Sequence, residues 1–459
     1  MPKKAVITIL GTIMYDDNNN AKYYYDEHLG DLMPKLNKDR YANMLPLLLE
    51  NFDGYDIVSI YTEVSLQKQQ EVIGHYEIDY DIAKNGLFIA SDSDKDKAGY
   101  KYFLNALNEA IDEYDNVIMD MTHGFRHLPI LSMIDLIMQN IKDPNKIEHI
   151  LFAKEISPRK EYEIIDLLEY LELANLSYAL SSFAKNYTIS GNFGFRNSDY
   201  QKLFDELSSF SDNILANSLK PLIEGDLIGN IKDSLQKLVE DTDIRYFNGY
   251  IEDIKRHLDE ILQLRKEDEW MRTYRLSIVM AERGYLLNAI TLLYEATGLY
   301  CLYRIESYSP KLKEHIDRFR GFIAQGREPT YEFSNYTLSS QSRKIIKLGK
   351  AFRGDYLYNP ETADWSKTDL NRAKRKRAPI PKQESKEIKQ CIVDMTDRLD
   401  ISSFREYLGK LDALRNNMAH GNSSVVVSKI NKEFQGALEQ FRHFCITTDV
   451  LNSKRTNSA

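Results

Sequence analysis

Val117-Ile118-Met119-Asp120-Met121-Thr122-His123-Gly124-Phe125-Arg126-His127-Leu128-Pro129 passes from a continuous apolar run, through a glycine turn, into the start of a helix. A run of this kind, apolar without alternation, is expected of a strand covered on both faces. After Pro129 the residues Ile130, Met133, Ile134, Ile137 and Met138 recur at helical spacing. The pattern repeats around it. Ala5 to Leu10 is a similar run that stops at Gly11-Thr12, Ile57 to Thr62 is another, and His149 to Ala153 is a fourth candidate strand. Helix-like stretches around Arg40 to Asn51, Ala98 to Tyr114 and Pro129 to Ile141 lie between them. Strand and helix alternate, so the expected fold of this half is α/β with a mostly parallel sheet. Tyr23-Tyr24-Tyr25 reads as part of the loop after the first strand.

In an open parallel sheet, ligands sit beyond the carboxyl ends of the strands, where loops and helix amino-termini present backbone N–H groups. Gly11, Thr12, Thr62, Thr122, His123, Gly124, Arg126 and His127 all fall at that end. The glycines allow close backbone approach, the threonine hydroxyls suit phosphate or ribose, and Arg126 and the histidines supply donors around an anion. The P-loop pattern and the G-x-G-x-x-G dinucleotide fingerprint are both missing. Asp120 at its strand end reads as fixing the following loop by side-chain to backbone hydrogen bonds, ahead of a magnesium role. His123 and His127 have no carboxylate or cysteine spaced to complete a zinc shell, so no metal is expected.

The carboxyl-terminal part should be nearly all helical. A break near Ser157-Pro158-Arg159-Lys160 fits best, dividing residues 1–158 from 159–459, because Ile164, Leu167, Leu168 and Leu171 already recur at helical spacing. Far along this part, Leu414-Arg415-Asn416-Asn417-Met418-Ala419-His420-Gly421 follows an amphipathic stripe of Phe404, Tyr407, Leu408, Leu411, Leu414 and Met418. Arginine and histidine suit attack of an RNA 2′-hydroxyl on its neighbouring phosphate, a reaction that needs no metal. Histidine titrates near ~6.5 and moves protons at neutral pH; arginine offers a fixed fork of donors to the charged phosphate oxygens. Asn416 adds a neutral donor. Five helical steps turn the chain through roughly 140°, so Arg415 and His420 face different ways unless the helix ends near Ala419-His420-Gly421, as Gly421 suggests. The alternative reading is a helix-end histidine capping carbonyls beside an arginine in a surface ion pair.

Arg415-Asn416 followed by three residues and His420-Gly421 resembles the R-x4-6-H signature of HEPN ribonucleases, and Ala281 to Ala296 resembles an earlier helix of that domain. The Asp120 to Pro129 segment resembles the ligand loop of CARF domains, whose fold is Rossmann-like. In that order the two halves resemble the CARF–HEPN ribonucleases that accompany type III CRISPR systems. The resemblance implies a homodimer or higher even oligomer in which two copies of Arg415, Asn416 and His420 form one composite cleft for single-stranded RNA. It also implies an allosteric activator, cyclic tetraadenylate or, behind it, cyclic hexaadenylate, bound across paired loop sets. Two other functions stay open: a ligand-sensing regulator without RNA cleavage, and a ring nuclease that degrades cyclic oligoadenylate.

Net charge is −9 with pI near 5.6, which argues against coating nucleic acid by bulk electrostatics. A nuclease needs only a local basic cleft. The run Arg372-Ala373-Lys374-Arg375-Lys376-Arg377 reads first as a solvated loop and second as an RNA contact, and Ser91 to Lys97 as an acidic loop or helix start. Most of the 30 tyrosines read as core-edge residues rather than base-stacking platforms. Cys301, Cys391 and Cys445 lie far apart with no C-x-x-C spacing, so neither a disulfide framework nor a thiolate zinc site is expected. Met1-Pro2-Lys3-Lys4 leads straight into a strand, and no apolar run reaches membrane-spanning length. The expected setting is therefore the reducing cytoplasm, without membrane.

Overall fold

The computed structural model describes residues 2–310, apart from 14–19, 26–28, 34–40, 90–97, 125–126, 190–192 and 241–246. It further describes 313–314, 317, 339, 342–343, 346–347, 394–397, 399, 401–421 and 426–452. By internal contact the chain divides into two units. The first comprises residues 1–184, 188–211 and 230–252; the second comprises 185–187, 212–229 and 253–459.

Among its described residues the first unit is built on seven strands: β1 Lys4–Ile9, β2 Lys22–Tyr25, β3 Asp56–Tyr61, β4 Gly86–Phe88, β5 Asn116–Asp120, β6 Ile147–Ser157 and β7 Glu161–Asp166. Their order is β2-β7-β6-β5-β1-β3-β4, and every neighbouring pair is parallel except β6 with β7. The expected mostly parallel α/β sheet is therefore present. Alternate residues of β1 enter opposite cores. Ala5, Ile7 and Ile9 pack with α3 (Ala98–Asp112) and α4 (His127–Lys142), whereas Val6 and Leu10 pack with α1 (Met44–Asn51) and α2 (Glu63–His75). Covering on both faces explains why the strands read as unbroken apolar runs.

Three features depart from the sequence reading. Tyr23-Tyr24-Tyr25 is strand β2, not loop: Tyr23 is buried and stacks on Tyr162 of β7 at 5.2 Å between ring centroids. Cross-strand aromatic packing of this sort makes tyrosine a good strand former. Ser157-Pro158-Arg159-Lys160 is the turn of the β6–β7 hairpin, with Arg159 at φ +58°, so the sheet continues past the break drawn there. Finally, the apolar stripe of α4 is divided: Leu128 and Leu136 are buried and Met133 and Ile137 pack against the core, but the rest of the stripe faces outward. Its buried positions include Ser132, Asp135 and Asn140, while Ile130, Ile134, Met138 and Ile141 are exposed by 63, 52, 64 and 40%.

Beyond the sheet the described residues are helical, starting with α5 (Leu168–Asn186), α6 (Ser198–Leu215), α7 (Leu219–Glu224), α8 (Leu227–Glu240) and α9 (Asn248–Gln263). In the second unit α10 (Glu269–Glu282) and α11 (Leu286–Tyr308) pack with α12 (Ser402–Ala419) and α13 (Val427–Phe441), and α13 runs into a π-helical turn over Arg442–Thr447. Helix α11 is apolar on most sides and is correspondingly the buried centre of the group. Trp270, Tyr300, Phe404, Tyr407, Phe441 and Phe444 form a continuous ring cluster around it. The buried Thr297 hydroxyl donates to the Leu293 carbonyl at 2.8 Å and accepts from the Tyr407 hydroxyl at 3.1 Å. Cys301 and Cys445 are buried and unbridged, and burial pushes the Cys301 thiol up to about 12. Among the described residues no helix is long and apolar enough to cross a membrane.

Candidate functional site

The chain order β1, β3, β4 runs to one side of β1, and α3 then carries the chain back to β5 on the other side. The switch point lies between β1 and β5, so the loops leaving these two strands border the crevice where such sheets bind ligands. They are in contact: a Cβ added to Gly11 would lie 3.3 Å from the His123 Cβ and 3.7 Å from the Gly124 nitrogen. Gly124 takes φ +109°, a conformation open to glycine, and a Cβ there would meet Ile9 at 2.9 Å. Glycine at both positions lets the backbones close on each other.

The polar residues around the loops hold its shape. Asp120, fully buried at the end of β5, accepts from the Thr8 hydroxyl at 2.7 Å and from the Thr122 N–H at 3.0 Å. This is the loop-fixing role expected of Asp120. Thr122 in turn accepts the Ala153 N–H on its hydroxyl at 2.9 Å. His123 accepts the Met44 N–H, at the start of α1, on Nε2 at 3.1 Å, which leaves the proton on Nδ1. Burial lowers its pKa, against the pull of Asp120, so the ring is a neutral peg joining the loop to α1. Thr62 is the N-cap of α2 in a reciprocal capping box with Ser65. His127 opens α4 with its ring edge-on to Tyr100 at 5.0 Å. Gly11, Thr12, Thr62, Thr122, His123, Gly124 and His127 thus all lie at the carboxyl ends of the strands; Arg126 lies outside the described residues.

Two residues at this site carried no signal in the sequence. Gln69 of α2 is buried and donates from Nε2 to the Gly11 and Ile13 carbonyls at 2.9 and 3.2 Å. Its Oε1 accepts from Asn43 Nδ2 at 2.9 Å, and Asn43 caps α1. A glutamine inside Gln67-Lys68-Gln69-Gln70-Glu71 looks like solvent-facing helix until the loop it tethers is placed beside it.

The second cluster lies at the end of α12. The helix stops at Ala419, His420 is its C-cap at φ −98° and ψ 4°, and Gly421 takes φ +63°. The His420 N–H reaches the Asn416 carbonyl at 3.1 Å. This is the left-handed glycine ending expected of Gly421. Phe404, Tyr407, Leu408, Leu411 and Leu414 are buried, which fixes the helix rotation; Arg415 is half-buried, and Asn416 and His420 are exposed. The Arg415 guanidinium lies 5.4 Å from the centre of the Tyr294 ring and bonds the Asn416 side-chain oxygen at 3.3 Å. Its Nε is buried without a hydrogen-bond partner among the described residues.

Behind Arg415 stands a wall of charge. Buried Arg343 lies over the Tyr294 ring at 3.3 Å, donates to the Tyr294 carbonyl at 2.9 Å and approaches Asp412 at 3.6 Å. Burial raises the Glu295 carboxyl above the usual range, opposed by Arg343, by a 3.3 Å bond from Ser339 and by Arg415. Tyr294 and Glu295 belong to the Ala281–Ala296 segment singled out in the sequence. The basic run Arg372–Arg377, the acidic run Ser91–Lys97 and Cys391 lie outside the described residues.

No family profile and no curated protein matches the sequence. A solved structure, Enterococcus italicus Csm6 bound to cyclic hexa-2′-fluoro-hexa-dAMP, aligns over 99% of this chain and 96% of that one. The two share 13% sequence identity, with a TM-score of 0.32.

Proposed function

We propose that this chain is a CARF–HEPN ribonuclease of type III CRISPR antiviral defence: a cytoplasmic homodimer that cleaves single-stranded RNA without metal when cyclic oligoadenylate binds its sheet unit. The observation that carries the reading is the end of α12, where a left-handed Gly421 terminates the helix directly after His420, which itself lies five residues after the half-buried Arg415. In the proposed reaction His420 takes the proton from a ribose 2′-hydroxyl as its oxygen attacks the adjacent phosphorus. The bond to the 5′-oxygen breaks and that oxygen is protonated, leaving a 2′,3′-cyclic phosphate and a free 5′-hydroxyl. Arg415 balances the charge gathering on the non-bridging oxygens, and Asn416 both orients Arg415 and offers a neutral donor. Two copies of this helix end form the cleft.

The contact of the Gly11 and Thr122–Gly124 loops at the switch point supports the sensing role. The bare apolar face of α4 supports the homodimer, because that helix begins beside the same loops. Cyclic tetraadenylate is the proposed activator, ahead of cyclic hexaadenylate. The test is cleavage of a fluorescent single-stranded RNA in EDTA, alone and with cyclic tri-, tetra- and hexaadenylate. Cleavage with one ring size that disappears in His420→Ala and Arg415→Ala, with ligand affinity retained, is expected. Ligand binding with no cleavage under any condition would overturn the ribonuclease reading and leave a regulator.

A further inference from the structure

A second concave site opens in the first unit at the opposite end of the sheet from the loop crevice. Its floor includes Asn116 and Ile147, the first residues of β5 and β6, and its volume is about 350 Å³. Four strand steps at about 3.3 Å each separate Asn116 from Asp120, so this cleft is distinct from the crevice at the carboxyl ends. Its wall comes from α5 (Leu168–Asn186), where Glu172 and Asn175, three residues apart, share one helical face.

Burial and hydrogen bonding make this wall unusual. Asn175 is 1% exposed, and its Oδ1 has no hydrogen-bond partner among the described residues. Glu172 is 8% exposed, and its Oε1 accepts the Arg196 backbone N–H at 2.6 Å. The other lining charges are already answered. Glu148 is held by Lys4 Nζ and the Tyr55 hydroxyl, each at 3.1 Å. The Arg196 guanidinium donates to the Glu148 carbonyl and approaches Asp166 at 3.6 Å. The cleft therefore presents the Asn175 oxygen and the Glu172 carboxylate, with the amides of Asn116, Asn140 and Asn145, beside the apolar surfaces of Leu168, Leu171 and Phe195. A buried acceptor with nothing to accept from, as at Asn175, is rare in folded proteins.

We propose that this cleft binds a small organic cation: a primary ammonium carried on a short alkyl chain. An ammonium group has three donors and no acceptor, which matches the Asn175 and Glu172 oxygens, and its methylenes suit the apolar floor. The cleft is about tenfold larger than the roughly 30 Å³ share of one water, and it lies within the range of small-molecule sites. A divalent metal fits poorly, because hard cations gather several carboxylates and no metal-holding group of acidic, histidine or cysteine side chains occurs among the described residues.

The test is calorimetric titration of the full-length protein with putrescine and with n-butylamine at low ionic strength, using 1,4-butanediol as the uncharged control. Saturable binding of an amine and none of the diol is expected. Glu172→Gln, which keeps the acceptor for the Arg196 N–H, should weaken binding at least tenfold, and Asn175→Leu should weaken it comparably. Far-UV circular dichroism verifies folding of each variant, and Glu172→Gln alone suffices if Asn175→Leu misfolds. Absence of amine binding, equal binding of the diol, or amine affinity unchanged in Glu172→Gln would overturn the proposal, leaving ordered water as the occupant.

Discussion

Replacing Asp120 tests how the sheet unit holds its ligand loop. The carboxylate is fully buried, and its two oxygens serve the Thr8 hydroxyl at 2.7 Å and the Thr122 N–H at 3.0 Å. Asp120→Ala strands both donors, and a buried donor without a partner costs about 1–3 kcal/mol. Thr122 remains tied on its other side by Ala153, so part of the loop stays in place. A net loss of about 3 kcal/mol corresponds to a fall in Tm of roughly 6–12 °C for a unit of this size. Asp120→Asn is the informative control. Its oxygen still accepts from Thr122, and its amide faces a hydroxyl that accepts once its hydrogen rotates, so the loss should stay under about 1.5 kcal/mol. Thermal denaturation followed by near-UV circular dichroism reads both. A Tm for Asp120→Ala within about 2 °C of the parent, or an Asn variant as damaged as the Ala variant, would refute the assignment of Asp120 as the loop's anchor.

Three further outcomes are expected. Ile134→Glu places a carboxylate in the middle of the exposed α4 stripe; it should shift the protein from dimer to monomer in light scattering after gel filtration, with stability changed by no more than about 0.5 kcal/mol. Gly298→Ala puts a Cβ 2.9 Å from the Ser339 carbonyl oxygen and 3.1 Å from Arg343 Nη1. Overpacking there should cost about 1–3 kcal/mol in denaturant unfolding and lower RNA cleavage by displacing Arg343. Asp166 has a depressed pKa: burial alone would raise it, but His149 at 2.6 Å and the Ile150 and Leu168 N–H groups outweigh that. Because the folded value lies below the unfolded one, near 3.9, this stabilisation is complete above that pH and is lost as pH falls through the folded value. Asp166→Asn should flatten the acid limb of a pH–stability curve, and an unchanged limb would count against the pair.

Much of the architecture is legible in the sequence. Unbroken apolar strands announced a sheet covered on both faces, their alternation with helical stripes announced parallel order, and Gly421 announced where α12 ends. All of these are local properties, set by backbone geometry and by burial that repeats with a short period. The loop glycines were equally visible, since close approach needs a residue without a side chain.

What tertiary structure alone decided is which partner each local pattern meets. Tyr23-Tyr24-Tyr25 became a strand because β7 lies beside it, and His123 became a neutral peg because the start of α1 reaches it. Gln69 became a tether only when Gly11 was brought to it. The α4 stripe is the sharpest case: periodicity shows that Ile130, Ile134 and Met138 share a face, but not that this face points outward while Asp135 and Asn140 point inward. Periodicity records likeness along the chain, whereas burial is settled by contacts between residues far apart in sequence, and those contacts have no local signature.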